Sequence, residues 1–456
     1  MKRLKVCTVV LILSVAGAAA SRAEEPLPLD FEGAQRRLFA VSDSMQALRA
    51  RVGGKQQLAD ASQHLRWPDV GAELQRVQVK KTLELSLGSL APVAADYGIE
   101  SPLRFVDEQW HTRPTISAIV PIYSGGAIPA QQHLARSTLK QAGAELELQQ
   151  QSLLPDLVQA YFGQQLAQQV LAVQWDALQG LVQHLENTQK LENQGFATKA
   201  QRLQAEVARD HAERDYQKAV NDYASAQASL ALLLRSDQTI GTISALFVNR
   251  HALEDVGAYE VAALALHPQI ARLEALVEQA RAGVRLQQSK LKPQMYAFGQ
   301  YDLHRSDALL TQPDWAVGVA VKYTFLSGTG RLQQVAAARA QQDEAEASLA
   351  EARNQISIGV NRAFNDVDAA RKQFLLLDSS IERALENLRL QSLSFQNGRS
   401  TSLDVIDARV SLAAARVERA RAAYGYDVAL ARLLQITGRT ALYQTFIATA
   451  EYVHAS

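Results

Sequence analysis

The side chains that could do chemistry are dispersed along this chain. Its nine histidines include no close pair at metal-ligand spacing. The single cysteine, Cys7, excludes an internal disulfide and a cysteine-based metal site. Gly328-Thr329-Gly330 begins like a dinucleotide-binding turn, but Gln333 stands where that fingerprint needs its third glycine. No P-loop and no nucleophile elbow are found. Lys+Arg and Asp+Glu both total 47, so the chain lacks the basic excess that would neutralise nucleic-acid phosphates. The expectation is a protein that is not an enzyme and carries no cofactor, no metal and no nucleic acid.

The sharpest local chemistry is structural. Gly195 and Gly398 can each take the left-handed conformation that ends a helix. Three residues later Thr198 and Thr401 can cap a return helix, with Gln201 and Asp404 at the capping-box position. Both sites read as tight tips between antiparallel helices. They also reveal a duplication, because Gln194-Gly195-Phe196-Ala197-Thr198 lies on Asn397-Gly398-Arg399-Ser400-Thr401 at an offset of 203. The same offset lays Ser124-Gly125 on Ser327-Gly328, Val207 on Val410 and Leu230 on Leu433. Upstream the offset becomes 225, with Trp67-Pro68 on Lys292-Pro293. That difference implies 22 extra residues in the first copy, expected within the Gly-, Pro- and Ser-rich stretch Leu85–Phe105.

Each copy reads as helix, strand pair, very long helix and return helix. Trp315, Val317, Val319, Val321, Tyr323 and Phe325 alternate with Ala316, Gly318, Ala320, Lys322 and Thr324. Large apolar residues bounded by aromatics on one face suit a lipid-facing barrel strand, since eight residues span about 26 Å. Ile116, Ala118, Val120 and Ile122 hold the equivalent face in copy one, and Tyr296 and Phe298 are expected on a lipid face of a third strand. Val70, Ala72 and Leu74 begin the fourth, whose phase then slips to Val77 and Val79, as at a bulge or a membrane exit. Four strands cannot close a barrel, and open edges are not tolerated in lipid. Three chains would supply twelve.

Residues 127–194 carry little helix-breaking punctuation, and 68 residues of helix span about 100 Å. The return segment Thr198–Leu234 is about half as long, and a helix at Asp30–Arg66 supplies the other half; 331–396, 401–436 and 258–291 repeat the plan. Heptad-spaced seams follow Phe374, Leu377, Ile381, Leu385, Leu388, Ser392 and Phe395, and again Val410, Ala413, Val417, Ala420, Tyr424, Val428 and Ala431. Pro155 is expected to kink or break the first long helix, because it removes an amide and clashes one turn back.

The N-terminus reads as an address. Lys2, Arg3 and Lys5 precede the apolar run Val6–Ala20, and Ser21-Arg22-Ala23 offers a cleavage site, with Ala18-Ala19-Ala20 as a second. Cleavage would remove four cations and leave a net charge of −4. At 15 residues the apolar run is short for a transmembrane helix, and no other stretch is long enough for one. The organisation is thus a signal peptide (1–23) and a first repeat (24–236) with a strand pair at 68–123 and a hairpin at 127–235. A linker (237–255) leads to a second repeat (256–438) with a strand pair at 293–326 and a hairpin at 330–436, followed by a tail (439–456).

On Tyr123-Ser124-Gly125-Gly126 after a strand, and on the tip sequence running from Gly398 through Arg399, Thr401, Asp404 and Asp407 to Ala408, the chain resembles the TolC-like outer membrane factor (outer membrane efflux protein) family. The resemblance implies a mainly α fold with a membrane β-barrel: a homotrimer with a twelve-stranded barrel in outer-membrane lipid above a periplasmic α-helical tunnel. It implies a passive conduit docking on a periplasmic adaptor and on an inner-membrane pump or an ABC-type (type I) secretion transporter. By the same resemblance Asp404 and Asp407 match aspartates that ring the periplasmic entrance. Their spacing puts both carboxylates on one helix face, where threefold symmetry would make cation-attracting rings. Asp404 also reads as a plain cap and Asp407 as a solvated charge. Gly195 and Gly398 match tip glycines that meet adaptor hairpins. The family's tip lock is incomplete: Ser400 stands at its arginine position, Gln201 at its acidic position, and Phe395 lacks a hydroxyl. A periplasmic adaptor or coiled-coil scaffold without a pore is the alternative, against which the duplicated hairpins and aromatic-bounded strands argue.

Overall fold

The computed structural model describes residues 26–304 and 313–453; the signal segment and Cys7 lie outside them. Strand β1 (Leu27–Leu29) leads into helices α1 (Phe31–Val41) and α2 (Asp43–Gln63), strand β2 (Asp69–Leu85), the short helix α3 (Ala91–Ala95) and strand β3 (Leu103–Tyr123). The first long hairpin is α4 (Ala127–Asn193) and α5 (Lys199–Leu233), followed by β4 (Ile240–Thr242) and β5 (Phe247–Val248). Copy two comprises α6 (Val256–Leu266), α7 (Pro268–Ser289), β6 (Gln294–Asp302), β7 (Trp315–Lys322), α8 (Arg331–Gln396) and α9 (Ser402–Ile436). Helix α10 (Tyr443–Thr449) and strand β8 (Glu451–Tyr452) close the chain.

The duplication is visible at the level of single caps. Asp30 caps α1 through the Gly33 amide, and Asp255 caps α6 through the Gly257 amide. The segments expected as single helices over Asp30–Arg66 and 258–291 are each broken, at Ser42 and His267. There the backbone turns extended, with ψ of 116° and 122°, and the side chain caps the next helix. Pro268 enforces the second break, since it suits the first position of a helix but cannot continue the one before it.

Pro155 corrects the sequence reading in the opposite sense. Helix α4 runs unbroken for 67 residues with Pro155 inside it. The proline is buried among Leu153, Leu154, Leu157 and Val158 of the same helix, and packing of this stretch outweighs the lost backbone bond. Its copy-two counterpart, Ile358, is exposed.

Helices α2 and α5 both pack on α4, while α7 and α9 each pack on both α4 and α8. Two long rods are thus joined by pairs of half-length helices. The main core lies at the middle of this wall. Phe31, Tyr161, Phe162, Phe247, Tyr426 and Tyr443 meet there, with Phe31 at 5.4 Å from Tyr161 and 5.3 Å from Phe162. The segment expected as a linker and the expected tail are part of this core. β4 pairs in parallel with β1, and β5 pairs with β8. Buried glutamines of α4 satisfy their backbones: Gln164 donates to the Ile240 carbonyl at 2.6 Å, Gln165 to Thr242 at 2.7 Å and Gln169 to Val453 at 2.8 Å. The heptad seams are buried at Phe374, Phe395, Val417, Ala420, Val428 and Ala431, but Leu385 and Val410 remain exposed in the single chain.

The sheet has the order β2-β3-β6-β7, antiparallel throughout, with β2 and β7 as open edges. β2 pairs with β3 without interruption from Asp69↔Ile119 to Leu85↔Leu103. The phase slip at Val77 is therefore not a bulge; the register shift lies in β3 between Pro121 and Tyr123. The extra length of copy one lies partly in the strands, 17 and 21 residues in β2 and β3 against 9 and 8 in β6 and β7. The register also corrects one face. Tyr301 pairs with Trp315, Gly299 with Val317 and Ala297 with Val319, whereas Phe298 pairs with Gly318 and Tyr296 with Ala320. Paired residues share a face, so Tyr296 and Phe298 lie opposite Trp315 and Val317 instead of beside them. Phe298 covers Gly318, where an added Cβ would sit 3.1 Å from the ring.

Candidate functional site: the hairpin tips and the open sheet

At the sheet, Trp315, Val317, Val319 and Val321 are 61–73% exposed on one face of the edge strand β7. Tyr301 joins them from β6, and Ala118 and Val120 continue the face on β3. Beyond β7, Tyr323 and Phe325 stack edge to face at 4.8 Å, with Phe325 91% exposed. The face is apolar and has no cover among the described residues. The strand-to-helix turn is set by close approach: Gly125 has φ +65°, and a Cβ there would lie 2.7 Å from the Ser289 carbonyl.

At the other end are the tips. Gly195 and Gly398 hold φ of +79° and +68° with open space around them, and the following amides of Phe196 and Arg399 donate back to Leu191 and Ser394 at 2.8 Å. Thr198 and Thr401 make complete capping boxes with Gln201 and Asp404. The Asp404 carboxylate accepts from the Thr401 amide and hydroxyl, both at 2.7 Å. These bonds hold it below the usual carboxylate range. Asp404 and Asp407 are both exposed on α9, so the cap and an accessible carboxylate coexist at Asp404.

Apart from Phe395, the side chains that join the two hairpins near the tips were not singled out by sequence reasoning. His184 of α4, 6% exposed, bonds through Nε2 to the Ser402 hydroxyl of α9 at 2.8 Å. Its ring lies 5.0 Å from that of Phe395 on α8. The guanidinium of Arg409 occupies the space a side chain at Gly180 would fill, with Nη1 1.6 Å from an ideal Cβ position. Arg416 pairs with Asp176 across the same junction at 2.9 Å. The one available sequence signal was Gly180 itself, an unforced glycine deep in a long helix. Ser400, at the family's lock position, bonds within its own hairpin: its hydroxyl donates to the Gln391 carbonyl at 3.1 Å. Between α4, α5 and α9 runs an apolar groove of about 870 Å³ with Leu181, Leu203, Val207, Ile406 and Val410 on its walls.

Among the described residues no group of three or more acidic, histidine or cysteine side chains could hold a metal ion, and no helix is long and apolar enough to cross a membrane.

The family model for outer membrane efflux proteins matches residues 36–234 and 261–439. No curated protein sequence matches the chain. Among solved structures, CusC, described by its folding and transmembrane channel formation, superposes with a TM-score of 0.76 at 16% identity, covering 90% of this chain and 92% of that one. The outer membrane protein VceC of Vibrio cholerae gives 0.72 at 18% identity, covering 90% and 96%. The MtrE outer membrane channel of Neisseria gonorrhoeae in its open state gives 0.71 at 16% identity, covering 90% and 89%. At these identities the likeness is one of fold. With the family model covering both hairpins and both copies, this chain belongs to the outer membrane efflux protein family, a family of channels and not of enzymes.

Proposed function

We propose that three copies of this chain form a passive exit duct through the outer membrane, with a twelve-stranded barrel above a helical tunnel whose entrance lies at the tips. The observation that carries this reading is the four-stranded sheet, which among the described residues has two unpaired edges and one uncovered apolar face. Backbone edges cannot face lipid unsatisfied, and β2 and β7 of neighbouring copies can satisfy each other. Trp315, Val317, Val319, Val321, Tyr301, Tyr323 and Phe325 are then the lipid-facing residues, and Tyr296 and Phe298 face the lumen. The tip glycines Gly195 and Gly398, with the apolar groove beside α5, form the docking surface for a periplasmic adaptor. An inner-membrane efflux pump supplies the cargo; a type I secretion transporter is the second reading. Asp404 and Asp407 ring the entrance, and opening moves α9 outward relative to the long helices.

The test is conductance in planar bilayers. Wild-type protein is expected to form pores blocked by divalent cations from the tip side, and D404A/D407A to lose most of that block. Unchanged block counts against the acidic ring, and a purified species that stays monomeric in detergent overturns the duct.

A further inference from the structure

A second cavity, of about 450 Å³, lies between α4, α8 and α9 near the tips, with His184 in its wall. The imidazole, carried by α4, touches α8 and α9. It bonds to Ser402, which is fully buried, and lies tilted at 53° against the Phe395 ring. The charged groups facing it are Lys190 from α4 and Arg409 from α9; α8 contributes only uncharged Ser392, Phe395 and Gln396. No carboxylate lines the cavity among the described residues. Arg409 is itself wedged against Gly180, and its Nε is buried without a hydrogen-bond partner.

We infer that His184 and Ser402, next to Arg409, form an acid-releasable clasp between the two hairpins, so that protonating one imidazole loosens α9 from α4 near the entrance. This rests on the duct reading above, of which it specifies the regulation. The Ser402 hydroxyl can donate or accept, so the bond alone survives protonation. What does not survive is the balance of the site: a charged imidazole would sit beside the Arg409 guanidinium, with exposed Lys190 at the rim, Asp176 beyond Arg409 and no carboxylate in the wall.

Burial first, and Arg409 second, lower the His184 pKa to about 4 in the clasped state. A water-exposed imidazole titrates near 6.5. The clasp is therefore at full strength above about pH 6.5 and is lost as pH falls toward 4. If release hydrates the ring fully, the clasped-to-released ratio falls about 30-fold per chain between pH 7.5 and 5.

Single-channel recording tests this, with acidification from pH 7.5 to 5 on the tip side. Wild type is expected to show a rise in open probability. H184Q keeps a neutral amide for Ser402 and is expected to lose the step. S402A is expected to open more at pH 7.5 yet keep a step. Circular dichroism and detergent-complex mass, unchanged from wild type, show that each variant assembles. An acid step of equal size in H184Q and wild type, or no step in wild type, overturns the clasp and leaves the duct standing. Absence of any pore at both pH values overturns the duct, and the clasp with it.

Discussion

Asp427 offers the most quantitative check on the packing of this protein. It lies on α9, fully buried beside the aromatic core of Tyr426, Tyr443 and Phe247. No hydrogen bond of good geometry reaches either carboxylate oxygen. Burial raises its pKa well above the usual carboxylate range, and the backbone amide of Phe247 draws it only partway back. The unfolded chain titrates the same group near 3.9. A raised folded pKa means that the stability contribution is complete below about pH 3.9 and is lost as pH rises through the folded value. The slope across that window is about 1.4 kcal/mol per pH unit per chain. D427N carries no titrating group, so the difference between wild type and variant isolates this site from every other ionisation. Guanidinium unfolding of detergent-solubilised protein, followed by helical circular dichroism at constant ionic strength from pH 5 upward, measures it. The stability of wild type relative to D427N should fall by about 1.4 kcal/mol for each pH unit gained until the carboxyl ionises. Parallel pH profiles for the two proteins would refute the argument, because they would mean that Asp427 is already hydrated or paired in the folded state.

Two further outcomes follow from the sheet and the tips. V317R places a charge on the uncovered face of β7 and is expected to cost about 2–4 kcal/mol per chain at barrel mid-height; S117R, on the opposite face, should leave outer-membrane yield near wild type. Yield and heat-stable oligomer on gels read both. T401A removes the cap that Asp404 completes and is expected to lower stability by about 1 kcal/mol, while raising the Asp404 pKa toward its ordinary value, since the Thr401 hydroxyl is the main cause of its depression; thermal unfolding and a pH titration of cation block follow the two effects.

Much of this molecule was legible in its sequence because the relevant rules are local. Helix period, strand alternation and the Gly-x-x-Thr tips each depend on a few neighbouring residues, and the duplication makes every signal appear twice. The helices, the strand pairs and the sequence positions of the tips came from these alone; the family came from the likeness of residues 123–126 and of the tip sequence at 398–408 to a known family. Other features depended on partners far away in the chain. The faces of Tyr296 and Phe298 were set by pairing of β6 with β3 and β7, and an alternating strand viewed alone has two equivalent faces. Pro155 stays inside a helix because distant segments bury the stretch around it. The expected linker is core because glutamines of α4 hold its backbone. His184 looked like one of nine scattered histidines until the fold brought Ser402 to 2.8 Å from it, across 218 positions of sequence. Periodicity and capping are energies of short range, readable from composition and spacing; face, register and burial are energies of contact between segments, and these exist only once the chain has folded.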